Sequence, residues 1–187
     1  MTKPSPASDG DRAGRDALPA DVRRYDDLDR HEREQMMALL RSVYPDIDDA
    51  DFRQRHAQTT VFIRRSGHIA STLWIIEREV AAGDVRVQVG GIGRVATLPS
   101  DRGRGLATTI MRAAAEHLAG STTARFGLLR CDDDMITFYR RLGWETIDGE
   151  LSYERTIHTP HVANAMALSL HGDVWPGGPV DLRGTAW

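Results

Sequence analysis

The sequence predicts a one-domain α/β protein whose sheet is mostly antiparallel and turns parallel around a single helix. Three observations carry this. Apolar, β-branched runs at 59–64, 69–78 and 85–97 are separated only by Ser66-Gly67 and Ala82-Gly83-Asp84, as in hairpin-connected strands. The third run passes through Pro99-Ser100-Asp101 and an Arg/Gly loop into an apolar-periodic segment, 104–119, and then a further apolar run, 124–130. That strand–helix–strand order is the order of a parallel crossover. Finally, 187 residues with 41% hydrophobic and 27% charged content suffice for one core of ordinary size.

Taken in order, residues 1–19 are rich in Pro, Ser, Gly, Asp and Arg and bury too little to offset ordering entropy, so a disordered tail is expected ahead of a single domain at 20–187. A short strand is expected at 21–26. Met36, Met37, Leu39, Leu40 and Val43 share one helical face within 29–44, and Pro45 stops that helix. Asp46 to Asp49 reads as an acidic loop, followed by a short helix at 49–57. After the three strands, helix 104–119 turns Leu106, Ile110, Met111, Ala114 and Leu118 inward, with Gly120 expected at its C′ position. Asp132-Asp133-Asp134 is expected to cap a helix that runs to Leu142 and closes at Gly143. Strands are expected near 144–148 and at 162–170, with a loop or strand near 151–157. The segment HGDVWPGGPVDLRGTAW reads as irregular.

The net charge of −3 gives no polyanion-binding footprint, so no nucleic-acid partner is expected. A single cysteine, Cys131, leaves no internal disulfide, which fits a reducing cytoplasm. Residues 1–20 lack the apolar stretch of a signal peptide, and the longest strongly apolar stretch, 70–76, is too short to span a bilayer. The seven histidines show no metal-ligand spacing, so no metal is expected.

The chemistry concentrates in Arg102-Gly103-Arg104-Gly105-Leu106-Ala107. A strand entering a Gly-rich loop at a helix start aims several backbone N–H groups at one place, and the helix dipole favours an anion there. The segment has no Gly-Lys-Ser/Thr of a P-loop and no dinucleotide glycine spacing. Arg102-x-x-Gly105-x-Ala107 resembles the acyl-CoA pyrophosphate loop of the GNAT N-acetyltransferases. A second marker, Tyr139-Arg140-Arg141-Leu142-Gly143-Trp144, resembles that family's Tyr-x-x-x-Gly-aromatic signature.

The resemblance implies a GNAT fold, a mixed and mostly antiparallel central sheet flanked by helices, with acetyl-CoA as cofactor. It implies that Val95-Ala96-Thr97 pairs with the pantetheine amides and that the N–H groups of Arg102, Gly103, Arg104, Gly105, Leu106, Ala107 and Thr108 hold the pyrophosphate. Arg102 and Arg104 either add charge near the 3′-phosphate or are solvated. Tyr139 is either the proton donor to the leaving thiolate or a core tyrosine beside Phe138.

From about residue 29 onward the chain is most similar to the aminoglycoside 2′-N-acetyltransferases. The similar patches are Asp46-x-x-x-x-Asp51-Phe52, Val95-Ala96-Thr97 with Asp101-Arg102-Gly103, Tyr139 to Trp144, Thr159-Pro160 and a Trp/Gly/Asp-rich end. This implies acetyl transfer to an amine of an amino-sugar antibiotic, conferring resistance, by a homodimer. Asp46, Asp181 and the Trp187 carboxylate match positions that bind substrate amino groups, and the segment ending at Trp187 is expected to cover the substrate. Trp175 and Trp187 are either pocket walls or anchors.

Three positions depart from that pattern: Gly93, followed by Arg94, replaces a glutamate, His161 replaces an aspartate, and Arg130 replaces a serine. Two carboxylates fewer and two basic groups more suit a partly anionic acceptor such as kasugamycin, which carries a carboxylated amidine. With the usual glutamate absent, His161 and Asp46 are the candidate bases. Asp46 after Pro45 also suits local turn bonding. Cys131 reads as an inert small hydrophobe. Two other readings stay open, a protein or peptide N-acetyltransferase and a non-catalytic acyl-CoA-binding sensor.

Overall fold

The computed structural model describes residues 18–45, 47, 58–154 and 164–187, with only the backbone at Glu154. Asp46, the expected helix at 49–57 and His161 therefore lie outside the described residues. Among the described residues, nine strands form one sheet: β1 Asp21–Arg24, β2 Thr59–Arg65, β3 His68–Ala82, β4 Val85–Thr97, β5 Phe126–Cys131, β6 Glu145–Thr146, β7 Leu151–Glu154, β8 Asn164–Ser169 and β9 Val180–Thr185. The helices are α1 Arg30–Val43, α2 Leu106–Ser121 and α3 Ile136–Arg140. The sheet order is β1-β2-β3-β4-β5-β8-β6, with β9 beside both β3 and β7. Only β4–β5 and β7–β9 run parallel, so the mixed, mostly antiparallel sheet expected from the sequence is the one observed.

Alternation along the strands builds two core layers. Val61, Ile63, Leu73, Ile75, Ile92 and Leu129 meet Ile110, Met111, Ala114 and Leu118 of α2 and Tyr139 of α3. The residues between them face the other way. There Phe62, Trp74 and Ala96 meet Met36, Leu39 and Leu40 of α1. Farther along that face, Ile76, Val80, Val87, Val89, Phe126 and Leu128 meet Val180, Leu182, Ala186 and Trp187. Helix α1 begins at a reciprocal cap: Glu32 N donates to Asp29 Oδ1 and Asp29 N donates to Glu32 Oε2, each at 2.8 Å.

Several local expectations need correction. The segment expected to be irregular forms β9, because Val180 and Asp181 pair with Ala82 and Ala81, partners about a hundred residues away that no local pattern reveals. Helix α2 continues through Gly120 to Ser121, and Thr122 ends it: its hydroxyl donates to Leu118 O at 2.9 Å and accepts from Ala124 N at 3.0 Å. The helix after the three aspartates is shorter than expected, a 3-10 turn at Asp133–Met135 followed by α3, and the Asp132 side chain makes no cap bond. Leu18 and Ala20 pack against the core.

Arg78 and Gly91 help to fix the C-terminal stretch. Arg78 Nη1 donates to Thr185 O at 2.8 Å and to Leu182 O at 3.3 Å, and its guanidinium lies 5.6 Å from the Trp187 ring centroid. Gly91 leaves the space the Trp187 indole fills: a Cβ at residue 91 would stand 2.4 Å from two indole carbons. Gly91→Ala should therefore unseat Trp187 and destabilise the fold by about 1–3 kcal/mol, the usual cost of overpacking. Adding it to Trp187→Ala should cost much less. Denaturant unfolding of the single and double variants checks both.

Candidate active site

Strands β4 and β5 pair only from Val89↔Phe126 to Ile92↔Leu129. Beyond Ile92, β4 continues to Thr97 without β5 beside it, while β5 continues through Arg130 and Cys131 against β8. The sheet therefore parts, and the β5-side main-chain groups of residues 93–97 have no strand partner among the described residues. On its other edge, β4 carries a bulge: Thr72 pairs with Ala96 but Trp74 pairs with Gly93, so Arg94 and Val95 oppose Leu73 alone. Arg94 sits at φ +53°, a left-handed backbone that places its side chain out of the regular alternation.

Val95, Ala96 and Thr97, the expected cofactor strand, form one wall of this opening. Ser71 holds it from behind, with its hydroxyl 3.0 Å from Ala96 O and 2.8 Å from Thr97 Oγ1. Tyr44, at the end of α1, donates its hydroxyl to Val95 O at 2.8 Å, and the Arg94 guanidinium lies 5.5 Å from the Tyr44 ring centroid. Sequence reasoning missed Tyr44. It follows Val43 and precedes the helix-stopping Pro45, but nothing local shows its reach to a residue 51 positions away.

The loop below the opening has the form of an anion cradle. Gly103 and Gly105 take φ +74° and +77°, and a Cβ at either would meet nothing within 4 Å. The glycines thus serve backbone conformation and leave open space over the main chain. Gly105 is the N-cap of α2 and supplies no side-chain cap, so the first-turn N–H groups, which have no acceptor within the helix, face that space. Arg102, Gly103, Arg104 and Gly105 are exposed, Leu106 is buried, and Ala107 and Thr108 are half-buried in the first turn. Arg102 Nε lies 3.5 Å from Thr97 O. Backbone donors, a helix start and nearby arginines fit a diphosphate, and the parted strand fits an extended amide-bearing arm.

Tyr139 lies on α3 and is buried, with Phe138 and Trp144 edge-on at 5.0 and 6.3 Å. Burial, with smaller contributions from Tyr44 and Cys131, pushes its phenol well above the ordinary tyrosine value. It therefore keeps its proton across the physiological range. On the side of the sheet opposite α2, Arg130 stacks 4.6 Å from the Tyr153 ring centroid, and its Nε is buried without a hydrogen-bond partner among the described residues. At Gly93, a Cβ would stand 2.7 Å from the Trp187 main-chain carbonyl carbon, so the glycine admits Trp187 to the bulge.

The structure thus brings Gly93, Arg94, Val95 and Trp187 together at the opening, with Arg130 at the end of the neighbouring strand. It does not bring Asp181 or Trp175 there. Asp181 is exposed beside Ala81, with its carboxylate accepting from Arg183 N at 2.8 Å. Trp175 packs edge-on to Phe126, 5.1 Å away, at the opposite end of β5.

Cys131 is buried beside Met166, with Sγ 3.6 Å from Sδ. Burial, then the three following aspartates, push its thiol up to about 11 from 9.0. At pH 8 this leaves about a hundredfold less thiolate than an ordinary cysteine. Alkylation by iodoacetamide should be slower than that of a free thiol by at least that factor, as followed by intact mass. Labelling at the free-thiol rate would contradict this burial.

Comparison with known proteins agrees with the geometry. An aminoglycoside 2′-N-acetyltransferase of Mycolicibacterium fortuitum is 28% identical over 127 residues, covering 67% of this chain and 64% of that protein, so the chain spans a little under two thirds of this relative. The GNAT family N-acetyltransferase YhbS from Escherichia coli, solved in complex with CoA, superposes with a TM-score of 0.61 at 17% identity over 90% of this chain and 92% of that one. A probable N-acyltransferase from Enterococcus faecalis gives 0.55 at 22% identity, over 68% of this chain and 32% of that longer chain. Residues 24–147, which hold the parted strands, the bulge, the cradle and Tyr139, match the family described as the acetyltransferase (GNAT) domain, and the chain belongs to that family.

Proposed function

We propose that this protein transfers the acetyl group of acetyl-CoA to an amine of an amino-sugar antibiotic and so confers resistance. The observation that carries the reading is the parting of β4 from β5 beside the bulge at Arg94, directly above the Gly103–Gly105 cradle. The Escherichia coli neighbour's complex with CoA and the named activity of the Mycolicibacterium relative support it.

Bound acetyl-CoA supplies an activated acyl carbon as a thioester. The cradle N–H groups and the 93–97 edge would hold that arm, and a main-chain N–H at the bulge would polarise the acyl carbonyl. The acceptor's neutral amine forms the new C–N bond as the C–S bond breaks. Tyr139 gives its proton to the departing sulfur, and a base takes the surplus proton from the nitrogen. His161 and Asp46 are the proposed bases.

The acceptor side carries Arg94 and Arg130, each braced by an aromatic ring, where carboxylates would serve a purely cationic sugar. A guanidinium over a ring is oriented and partly dehydrated, which suits a carboxylate partner. An aminoglycoside with an acidic group, of which kasugamycin is an example, fits this pair.

Free-thiol release from acetyl-CoA against a panel of aminoglycosides, with kasugamycin included and a peptide amine as control, tests the reading. Turnover is expected with a sugar and none with the peptide. Tyr139→Phe should lower kcat by about 10²-fold with CoA affinity unchanged. Arg94→Ala and Arg130→Ala should raise KM for kasugamycin more than for a sugar without a carboxylate. Turnover with the peptide alone would move the substrate to proteins. CoA binding without turnover of any acceptor would favour a sensor.

A further inference from the structure

A second cluster adjoins the cradle from the β2–β3 hairpin. Asp101, at the foot of the Arg/Gly loop, is only 3% exposed. Arg65 Nη1 reaches its Oδ1 at 2.6 Å and Arg104 Nε reaches the same oxygen at 3.8 Å. His68 Nε2 and Ser100 Oγ lie 3.5 and 3.4 Å from Oδ2. The carboxyl is held below the ordinary aspartate range, first by the Arg65 hydrogen bond, so it stays ionised.

One carboxylate is neutralised by one cation. Here it gathers Arg65 and Arg104 with His68 alongside, and Arg102 is next in sequence. Arg65, His68 and Arg104 keep 37–52% of their side chains exposed. The buried acid thus acts as a bracket that holds cationic heads at the surface, with charge left over, beside the backbone donors of the cradle.

The two halves suit different phosphates. Neutral N–H groups at a helix start suit a bridging diphosphate, whereas a bracketed set of cations suits a terminal phosphomonoester, which carries close to two negative charges at neutral pH. We propose that Arg65 and His68, positioned with Arg104 by Asp101, form a phosphomonoester subsite that reads the 3′-phosphate of the cofactor's nucleotide. This rests on the acetyl-CoA reading. It assigns the β2–β3 hairpin, which the loop motif does not include, a part in cofactor selection.

Calorimetric binding of coenzyme A and of 3′-dephospho-coenzyme A to the whole protein tests it. The wild type should bind coenzyme A tighter by about tenfold or more, the size of one charge-assisted contact pair. In Arg65→Gln with His68→Ala that ratio should fall below about threefold, with affinity for the dephospho form unchanged. Arg65→Lys keeps the charge and should retain most of the ratio. His68→Ala alone leaves Asp101 paired with Arg65 and should lower the ratio even if the double variant folds poorly. Equal binding of both ligands by the wild type would overturn the subsite while leaving the acetyl-CoA reading intact. An equal loss for both ligands in the variants would overturn it too, since that marks a purely structural bracket. Binding of neither ligand would overturn both proposals.

Discussion

The parting of β4 from β5 after the Ile92–Leu129 pair is the constraint on which the rest of the site depends. A parallel pair normally continues until one strand ends. Here both continue, but among the described residues β5 keeps only β8, and β4 keeps only β3. Buried main-chain groups without partners cost about 1–3 kcal/mol each, so a strand left open on one edge must be held firmly on the other. Ser71, on β3, does this at Ala96 O and Thr97 Oγ1, while the Tyr44 hydroxyl takes Val95 O. The open edge is then a preformed place for an amide-bearing arm, which needs no backbone rearrangement to pair.

The other parts fall around that opening. The same strand feeds the cradle, so the sites proposed for the diphosphate and the arm share one rigid element and keep their spacing. Tyr139 rides on α3, which follows β5 directly, and its burial keeps the phenol protonated. The side proposed for the acceptor is built by different means. Trp187 enters it over Gly91 and Gly93, where side chains are absent, and Arg78 ties the approaching strand by its carbonyls. Each of these two glycines is a position where a Cβ would collide with Trp187, so the 91–93 stretch of β4 and the packing of the C-terminal segment are coupled.

How much of this the sequence shows varies with the distance over which each contact acts. The β2–β3 and β3–β4 hairpins are legible because Ser66-Gly67 and Gly83-Asp84 are local turn signals, and β4 spans Val85–Thr97 as expected. The cradle is legible because its glycines sit between a strand and a helix that both have clear periodicity. Strand β9 is not, since its prolines and glycines dominate the local pattern and its partner Ala81 is remote. Gly120 looks like a helix stop, yet the Thr122 hydroxyl closes α2 two residues later. Tyr44, Arg65 and His68 carry no local signature at all. Their importance comes from reach, to Val95 and to Asp101, across 51, 36 and 33 positions. Asp181 and Trp175 look like site residues by type and order, but the strand and the packing that hold them direct them elsewhere.

Hydrogen exchange with and without coenzyme A addresses the central claim most directly, because it reads the backbone and does not depend on knowing the acceptor. Coenzyme A should slow exchange in the 93–97 edge and in the 103–108 cradle together, and leave β6 and the Trp175 region unchanged. Protection confined to another part of the sheet, or protection of the cradle without the edge, would contradict an account in which the parted strands hold the cofactor arm.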